Sequence, residues 1–150
     1  MAKDTGANWG TLIPRFLLAT VFVFHGGQKL FGLFGGEPGA MDEMAKMIGT
    51  WNWPAPSVLA RAAAATEFFG GVCLALGLMT RFWALGIVSV MGVAVWKVHG
   101  ANGFSLGSGG WEYCFVLGIL ALSLVVQGGG AFSMDQMFFK GKKKAEKPTE

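Results

Sequence analysis

The amino-acid sequence predicts an all-α, polytopic membrane protein, a four-transmembrane-helix bundle with short interfacial helices. Three observations favour this fold class. The 150 residues are 53% hydrophobic and only 14% charged, whereas soluble domains carry about 25% charged residues. The apolar residues form four blocks, each long enough, at about 17 residues or more, to cross a hydrocarbon layer. The few charges are concentrated at the chain ends and in the gaps between these blocks.

The four predicted spans cover residues 12–34, 58–79, 82–98 and 111–127. The first span contains a polar group that a lipid-facing helix could carry only at a high free-energy cost. The second contains a glutamate and a run of alanines. The third and fourth spans are near the minimum length for a crossing. Residues 1–139 are therefore expected to form one membrane domain.

The connections differ in character. Residues 35–57 form the longest, in which methionines at helical spacing predict a short amphipathic helix lying in the interface. Trp51 and Trp53 follow it as expected headgroup-level anchors. The dipeptide Thr80-Arg81 predicts a tight hairpin between the second and third spans. After the fourth span, Gly128-Gly129-Gly130 ends the helix, and Ser133 is expected to cap a short helix that carries Met134, Met137, Phe138 and Phe139.

The basic residues predict the orientation. Four spans place both termini on the same side as the Thr80-Arg81 turn, and lysine and arginine accumulate on the cytoplasmic side of membrane proteins. Both termini are therefore expected in the cytoplasm, with residues 140–150 as a flexible basic tail. The cytoplasmic side would hold Lys3, Arg15, Arg81, Lys140, Lys142, Lys143, Lys144 and Lys147, against Lys29, Lys46, Arg61 and Lys97 on the opposite side.

Several function classes are disfavoured. A lysine-rich tail beside an apolar span is better explained as an anchor on the lipid bilayer than as a nucleic-acid footprint, so no nucleic-acid partner is expected. Cys73 and Cys114 lie in different spans without zinc spacing, and no H-x-x-x-H or E-x-x-H spacing sets two ligands on one helix turn, so no metal is expected. A haem held between His25 and His99 stays open.

The ionisable residues within the spans gather in the outer half of the bundle. From the helical rise, His25 and Glu67 share a depth of roughly 13 Å, with Lys29 at roughly 8 Å. Glu67 lies in a stripe of small residues that indicates close helix packing, so it must be neutral or paired, and Lys29 and His25 are the available partners. The inner half holds almost only apolar residues. The candidate pocket consists of His25, Gln28, Lys29, Glu67, Lys97, His99 and Glu112.

Two interpretations of this cluster stay open. In one, the charges only hold helices together, because a buried carboxylate needs a partner whatever its role. In the other, they form a binding or proton-handling pocket, because intramembrane ionisable residues are functional candidates by default. The abundance of Gly and Ala also favours self-association, so a homo-oligomer is a candidate partner.

Arg15 is followed by the segment from Phe24 to Gly32, and then by Glu67-Phe68-Phe69-Gly70-Gly71 through Leu76 to Arg81. This order of motifs resembles the DoxX family of small four-helix membrane proteins. The terminal part resembles the same family in His99 to Phe104, in Gly110-Trp111-Glu112-Tyr113 and in Gly128 to Asp135. Gly129, where a proline is common, and the long lysine tail depart from the family pattern.

The resemblance implies a link to membrane redox chemistry in a bacterial inner (plasma) membrane. A subunit of a thiosulfate:quinone oxidoreductase has the same fold, and other members are thought to join thiol and oxidative-stress complexes. No residue here is a recognisable redox centre, so electron transfer would need a bound quinone or a membrane or periplasmic redox partner. The first hypothesis is therefore an accessory subunit whose outer pocket binds a quinone or a small anionic substrate. The alternative is a non-catalytic membrane scaffold or a carrier of small molecules or lipids.

Overall fold

The computed structural model describes residues 9–138, and this part of the chain is helical without any strand. The prediction of an all-α protein is confirmed for these residues. The predicted tail, residues 140–150, lies outside the described residues, as do Lys3 and Phe139. The five α-helices are α1 (Leu12–Phe31), α2 (Ala40–Gly49), α3 (Pro56–Leu76), α4 (Thr80–Val93) and α5 (Glu112–Gln127).

Three helical stretches are long and apolar enough to cross a membrane: Trp9–Phe31, Pro56–Leu76 and Thr80–Val98. The third stretch includes a π-helical turn, Ala94–Val98, which prolongs α4. Helix α5 is apolar but has only 16 residues. A multi-pass membrane protein therefore follows from the structure, while the fourth crossing stays a prediction.

Glycines end two helices earlier than the sequence patterns predicted. Gly32 adopts a left-handed conformation (φ 64°) at the C-terminus of α1, so the helix does not continue to Phe34. Gly77 does the same for α3 (φ 65°), which ends at Leu76 rather than at Met79. The hairpin connection consequently comprises residues 77–79, and the placement of the turn at Thr80-Arg81 was wrong, because Thr80 is already the first residue of α4.

The predicted short helices are present at both expected places. Helix α2 has its charged residues exposed and buries Ile48, which is 4% exposed. Residues 134–138 are helical, and the Ser133 hydroxyl oxygen accepts a hydrogen bond from the Gln136 N–H at 3.1 Å, as expected of an N-cap. The interfacial position of α2 stays a prediction.

Helices α1 and α3 pack so closely that their backbones touch. A Cβ atom at Gly26 would overlap the backbone of Phe68. At Gly71 a Cβ would lie 2.9 Å from the Val23 nitrogen and 3.2 Å from the Ala19 oxygen. The stripe of small residues on α3 thus allows the close approach that the sequence predicted.

The apolar core joins four helices. It is made by Leu18, Phe22, Leu74, Ala84, Ile87, Met91, Leu117, Ala121 and Leu124, from α1, α3, α4 and α5. We call the end of the bundle that contains residues 77–79 the closed end. The opposite end, beside α2, is the cavity end. The core reaches the cavity end, where Phe22, Met91 and Leu117 line an open space between the helices.

At the closed end, a buried arginine of α1 connects α3 with the segment after α5. The prediction that this half is almost wholly apolar was therefore wrong. Arg15 is 0% exposed. Its guanidinium donates to the Leu74 and Ala75 oxygens at 2.9 and 2.8 Å, and to the Gly129 and Ala131 oxygens at 2.9 and 3.0 Å. A cation is favourable beside the last carbonyls of α3, because these carry the negative end of the helix dipole. Arg15, which the orientation argument counted on this side, is therefore buried among backbone carbonyls.

Asp135 completes the closed end at the start of α4. Its carboxylate accepts hydrogen bonds from the Met79 and Thr80 N–H groups at 2.7 and 2.8 Å. These N–H groups lack partners within the helix, so the aspartate acts as an N-cap supplied from a distant part of the sequence.

Candidate functional site

A cavity of about 920 Å³ lies at the cavity end, between the helices and beneath α2. Helix α1 lines it with Val21, Phe22, His25 and Lys29, and α3 lines it with small residues and Glu67. Helix α2 covers it with Met44, Met47 and Ile48. The volume is within the range of about 300–1,000 Å³ that is typical of small-molecule sites, as is a mostly apolar lining with few polar groups.

The principal charged group in this cavity is an ion pair between α1 and α3. The Lys29 Nζ atom lies 2.7 Å from Oε1 and 2.6 Å from Oε2 of Glu67, so it donates to both carboxylate oxygens. The side chain of Glu67 is 5% exposed and that of Lys29 is 30% exposed. The lysine thus reaches into the cavity with part of its surface, while its counter-ion is buried behind it.

Two histidines line the same cavity. His25 lies one helical turn before Lys29 and is exposed. The Nδ1 atom of His99 lies 2.8 Å from the Gly109 oxygen. Because a carbonyl oxygen can only accept, Nδ1 carries the proton, and Nε2 of the neutral ring is left as an acceptor. The structure therefore brings His25, Lys29, Glu67 and His99 to one cavity.

The other three candidate residues do not line it. The Gln28 side-chain nitrogen donates to the Phe34 oxygen at 3.2 Å and fixes the turn after α1. Lys97 lies over the Trp96 ring, with its Nζ 4.0 Å from the ring centroid. Glu112 accepts the Leu106 N–H at 3.0 Å and so orders the loop before α5. Gln28 and Glu112 are engaged locally, whereas Lys97 also lies 5.9 Å from the centroid of the Trp53 ring, which lines the cavity.

The structure adds cavity residues that the sequence analysis did not single out as site candidates. Tyr113 and Cys114, at the start of α5, bring a hydroxyl and a thiol to the lining. Met44 and Met47 lie on α2, which the sequence assigned to the interface. The spacing of these methionines with Ile48 was the available signal, because it marks a face of α2 that needs a partner.

The described ionisable groups around the cavity do not form a cluster that could bind a metal ion. Within residues 9–138, no three His, Cys, Asp or Glu side chains come together in a way that could hold a metal ion. Both cysteines are free thiols. What the arrangement can do is donate hydrogen bonds from Lys29 and Tyr113, accept one at His99, and surround an apolar molecule.

Known proteins resemble this chain over most of its length. A protein of Haemophilus influenzae named only "Uncharacterized protein" is 25% identical over 138 residues, which is 92% of this chain and 89% of the relative. The Bacillus subtilis protein named "Putative oxidoreductase CatD" is 29% identical over 134 residues, 89% of this chain and 90% of the relative. A second "Uncharacterized protein" of H. influenzae is 28% identical over 134 residues, 84% of this chain and 88% of the relative. No solved structure matches the chain significantly.

The family comparison agrees with the motif resemblance. The family model described as DoxX matches residues 10–100. This range is more than half of the chain, and it contains α1 to α4 together with His25, Lys29, Glu67 and His99. The chain belongs to the DoxX family.

Proposed function

We propose that this protein is a subunit of a membrane redox system and that its cavity binds a quinone. The observation that carries the proposal is one cavity in which a mostly apolar lining surrounds the Lys29–Glu67 pair. The name of the B. subtilis relative, an oxidoreductase, supports the same class of chemistry. Electrons would be exchanged with a membrane or periplasmic redox protein, because the chain contains no recognisable redox centre of its own.

The topology proposed with this function has four crossings. Helix α5 packs along α4 and is apolar, which supports it as the fourth crossing despite its length. Both termini then lie on the cytoplasmic side of a bacterial inner membrane, and the cavity opens towards the other side. Arg15 is buried and adds little to the charge bias, but Arg81 is exposed at the closed end, and the tail lysines favour this orientation.

The cavity residues suit a quinone. Quinone oxygens accept hydrogen bonds, and the Lys29 ammonium and the Tyr113 hydroxyl are donors in the lining. Phe22, Met91 and Leu117 offer apolar surface for the ring or for its tail. A bound quinone would supply two-electron, two-proton chemistry.

The protein's own residues would position the ligand and handle protons. Lys29, held by Glu67, points a donor at a ligand oxygen. The Nε2 atom of His99 can hold a proton, since the Gly109 carbonyl fixes the proton on Nδ1. Met44, Met47 and Ile48 on α2 cover the cavity and limit the access of water.

The direct test is binding of decylubiquinone to the purified protein in lipid nanodiscs. We expect saturable binding that Lys29→Met weakens about tenfold, because a hydrogen bond from a charged donor is lost. Lys46→Met is the matched control, since Lys46 is exposed on α2 and is not part of the cavity lining. Equal binding by wild type and Lys29→Met, or no saturable binding at all, would contradict the proposal.

The second candidate function is a scaffold or carrier in which the pair is structural. It is favoured by one observation: the Lys29–Glu67 pair bridges α1 and α3 at their close interface. In this case Lys29→Met lowers thermal stability and the recovery of a partner or of a second copy together, while any ligand binding of the surviving folded protein is unchanged.

A further inference from the structure

The geometry of the Lys29–Glu67 pair points to the charge of the ligand. We propose that the cavity selects an uncharged amphiphile that offers a hydrogen-bond acceptor, and that it rejects the corresponding anion. This inference rests on the proposed small-molecule function of the cavity, but it does not require that the ligand be a quinone. It replaces the small anionic substrate that the sequence analysis kept as an option.

The charge of Lys29 is already compensated. Its Nζ lies 2.7 and 2.6 Å from the two oxygens of a carboxylate that is buried against α1. An anion that approached the ammonium group would also approach this carboxylate. Glu43 on α2 lines the cavity as well and adds a second negative group. An additional anion would therefore lose its hydration without gaining an uncompensated cation, which is unfavourable.

Lys29 nevertheless has a donor to offer. An ammonium group has three N–H donors, and two are directed to the oxygens of Glu67. Within residues 9–138 the third has no protein acceptor, and the lysine side chain is 30% exposed where it lines the cavity. The pair as a unit thus presents a strong donor with no net charge, which matches the carbonyl oxygen of an ester, amide or ketone.

The remaining lining accommodates the apolar part of such a ligand. Leu59 of α3, Val90 and Met91 of α4, and Leu117 of α5 surround the space next to the pair. An amphiphile can then place its carbonyl at Lys29 and its chain among these side chains. Removing only the negative partner, Glu67, should leave Lys29 as a positively charged site that attracts anions. The apolar surface of the cavity should stay the same.

The test uses two probes with the same tail, methyl laurate and laurate, at an alkaline pH at which laurate is ionised. Binding to the protein in nanodiscs is measured for wild type and Glu67→Gln, and the ratio of the two affinities is compared between proteins so that partition into lipid cancels. We expect wild type to prefer methyl laurate. Glu67→Gln should shift the ratio towards laurate by about tenfold or more, because a charge-assisted bond to Lys29 becomes available.

Two further variants keep the result interpretable. Glu43→Gln removes a negative charge from the same cavity without releasing a paired cation, so it should shift the ratio towards laurate by much less than Glu67→Gln does. The double variant Lys29→Met/Glu67→Gln removes both charges and should show no gain in the relative affinity for laurate. It tests charge selection even if Glu67→Gln folds poorly. An equal shift in Glu43→Gln and Glu67→Gln, or a wild-type preference for laurate, would overturn the inference.

These outcomes separate the inference from the proposed function. Binding of decylubiquinone together with an unchanged probe ratio in Glu67→Gln would refute charge selection and leave the quinone proposal standing. Absence of decylubiquinone binding together with the expected ratio shift would refute the quinone proposal and support charge selection.

Discussion

Lys29 and Glu67 lie 38 residues apart in the sequence, and one ammonium group contacts both carboxylate oxygens, at 2.7 and 2.6 Å. The pair crosses the interface at which α1 and α3 approach most closely, near Gly26. Glu67 is 3% exposed as a whole residue, and within residues 9–138 Lys29 is the cation that it contacts. Stability and ligand selection are consequently linked through the same two side chains.

Removing one partner of this pair should be more harmful than removing both charges. We expect Glu67→Ala to lower the free energy of unfolding by about 3 kcal/mol, because it leaves a partly buried ammonium without a counter-ion. Lys29→Met/Glu67→Gln should lose only about 1 kcal/mol, since no charge remains to be compensated. Denaturant unfolding in bicelles measures both. A double variant less stable than Glu67→Ala would contradict this explanation.

Arg15 should be irreplaceable by lysine. The guanidinium reaches carbonyl oxygens of both α3 and the segment after α5, and an ammonium group cannot copy this planar fork. We expect Arg15→Lys to cost about 3 kcal/mol or more, because several buried carbonyls lose their donors.

The matched control for Arg15 is Arg81→Lys. Arg81 is exposed and has one bond from its guanidinium, to the Val126 oxygen at 3.2 Å. Its replacement should change the melting temperature by only a degree or so, and similar losses in the two variants would show that Arg15 does not hold the closed end together.

Asp135 should stabilise α4 through its first N–H groups. Asp135→Ala removes both acceptors from Met79 and Thr80, and we expect a loss of about 1–2 kcal/mol, as for other N-caps. Amide hydrogen exchange at these two residues should accelerate as well. Asp42→Ala, at an exposed position in the first turn of α2, serves as the comparison and should cost about 0.5 kcal/mol.

The helices were predictable because their signals are local. Runs of apolar residues mark α1, α3, α4 and α5, and the spacing of Met44, Met47 and Ile48 marks α2. The helix ends were less predictable. Gly77 could be recognised as a C-cap, but the start of α4 at Thr80 depends on Asp135, which belongs to a distant part of the sequence. A cap supplied from elsewhere leaves no local pattern.

The contact between Lys29 and Glu67 was predictable from their expected depths along the helices. Lys29 and Glu67 lie at neighbouring depths on adjacent helices, and a buried carboxylate needs a cation. Depth alone could not predict whether the side chain of a residue at a helix end faces the cavity or the neighbouring loop. Lys97 and Glu112 were expected at the same level, yet Lys97 contacts Trp96 and Trp53, and Glu112 contacts Leu106. The burial of Arg15 could not be predicted for a related reason, because its acceptors are backbone oxygens, which no sequence pattern reveals.

Two glycine substitutions should separate packing from helix propensity. Gly26→Ala places a Cβ against the backbone of Phe68, so α1 and α3 must move apart, and we expect a loss of about 2 kcal/mol from overpacking. At Gly92 in α4 a Cβ meets nothing within 4 Å, so Gly92→Ala should instead stabilise the helix by about 0.5–1 kcal/mol. Thermal unfolding of the two variants beside wild type measures the difference. Stabilisation by both would mean that α1 and α3 can separate freely, which would also weaken the case for a fixed Lys29–Glu67 pair.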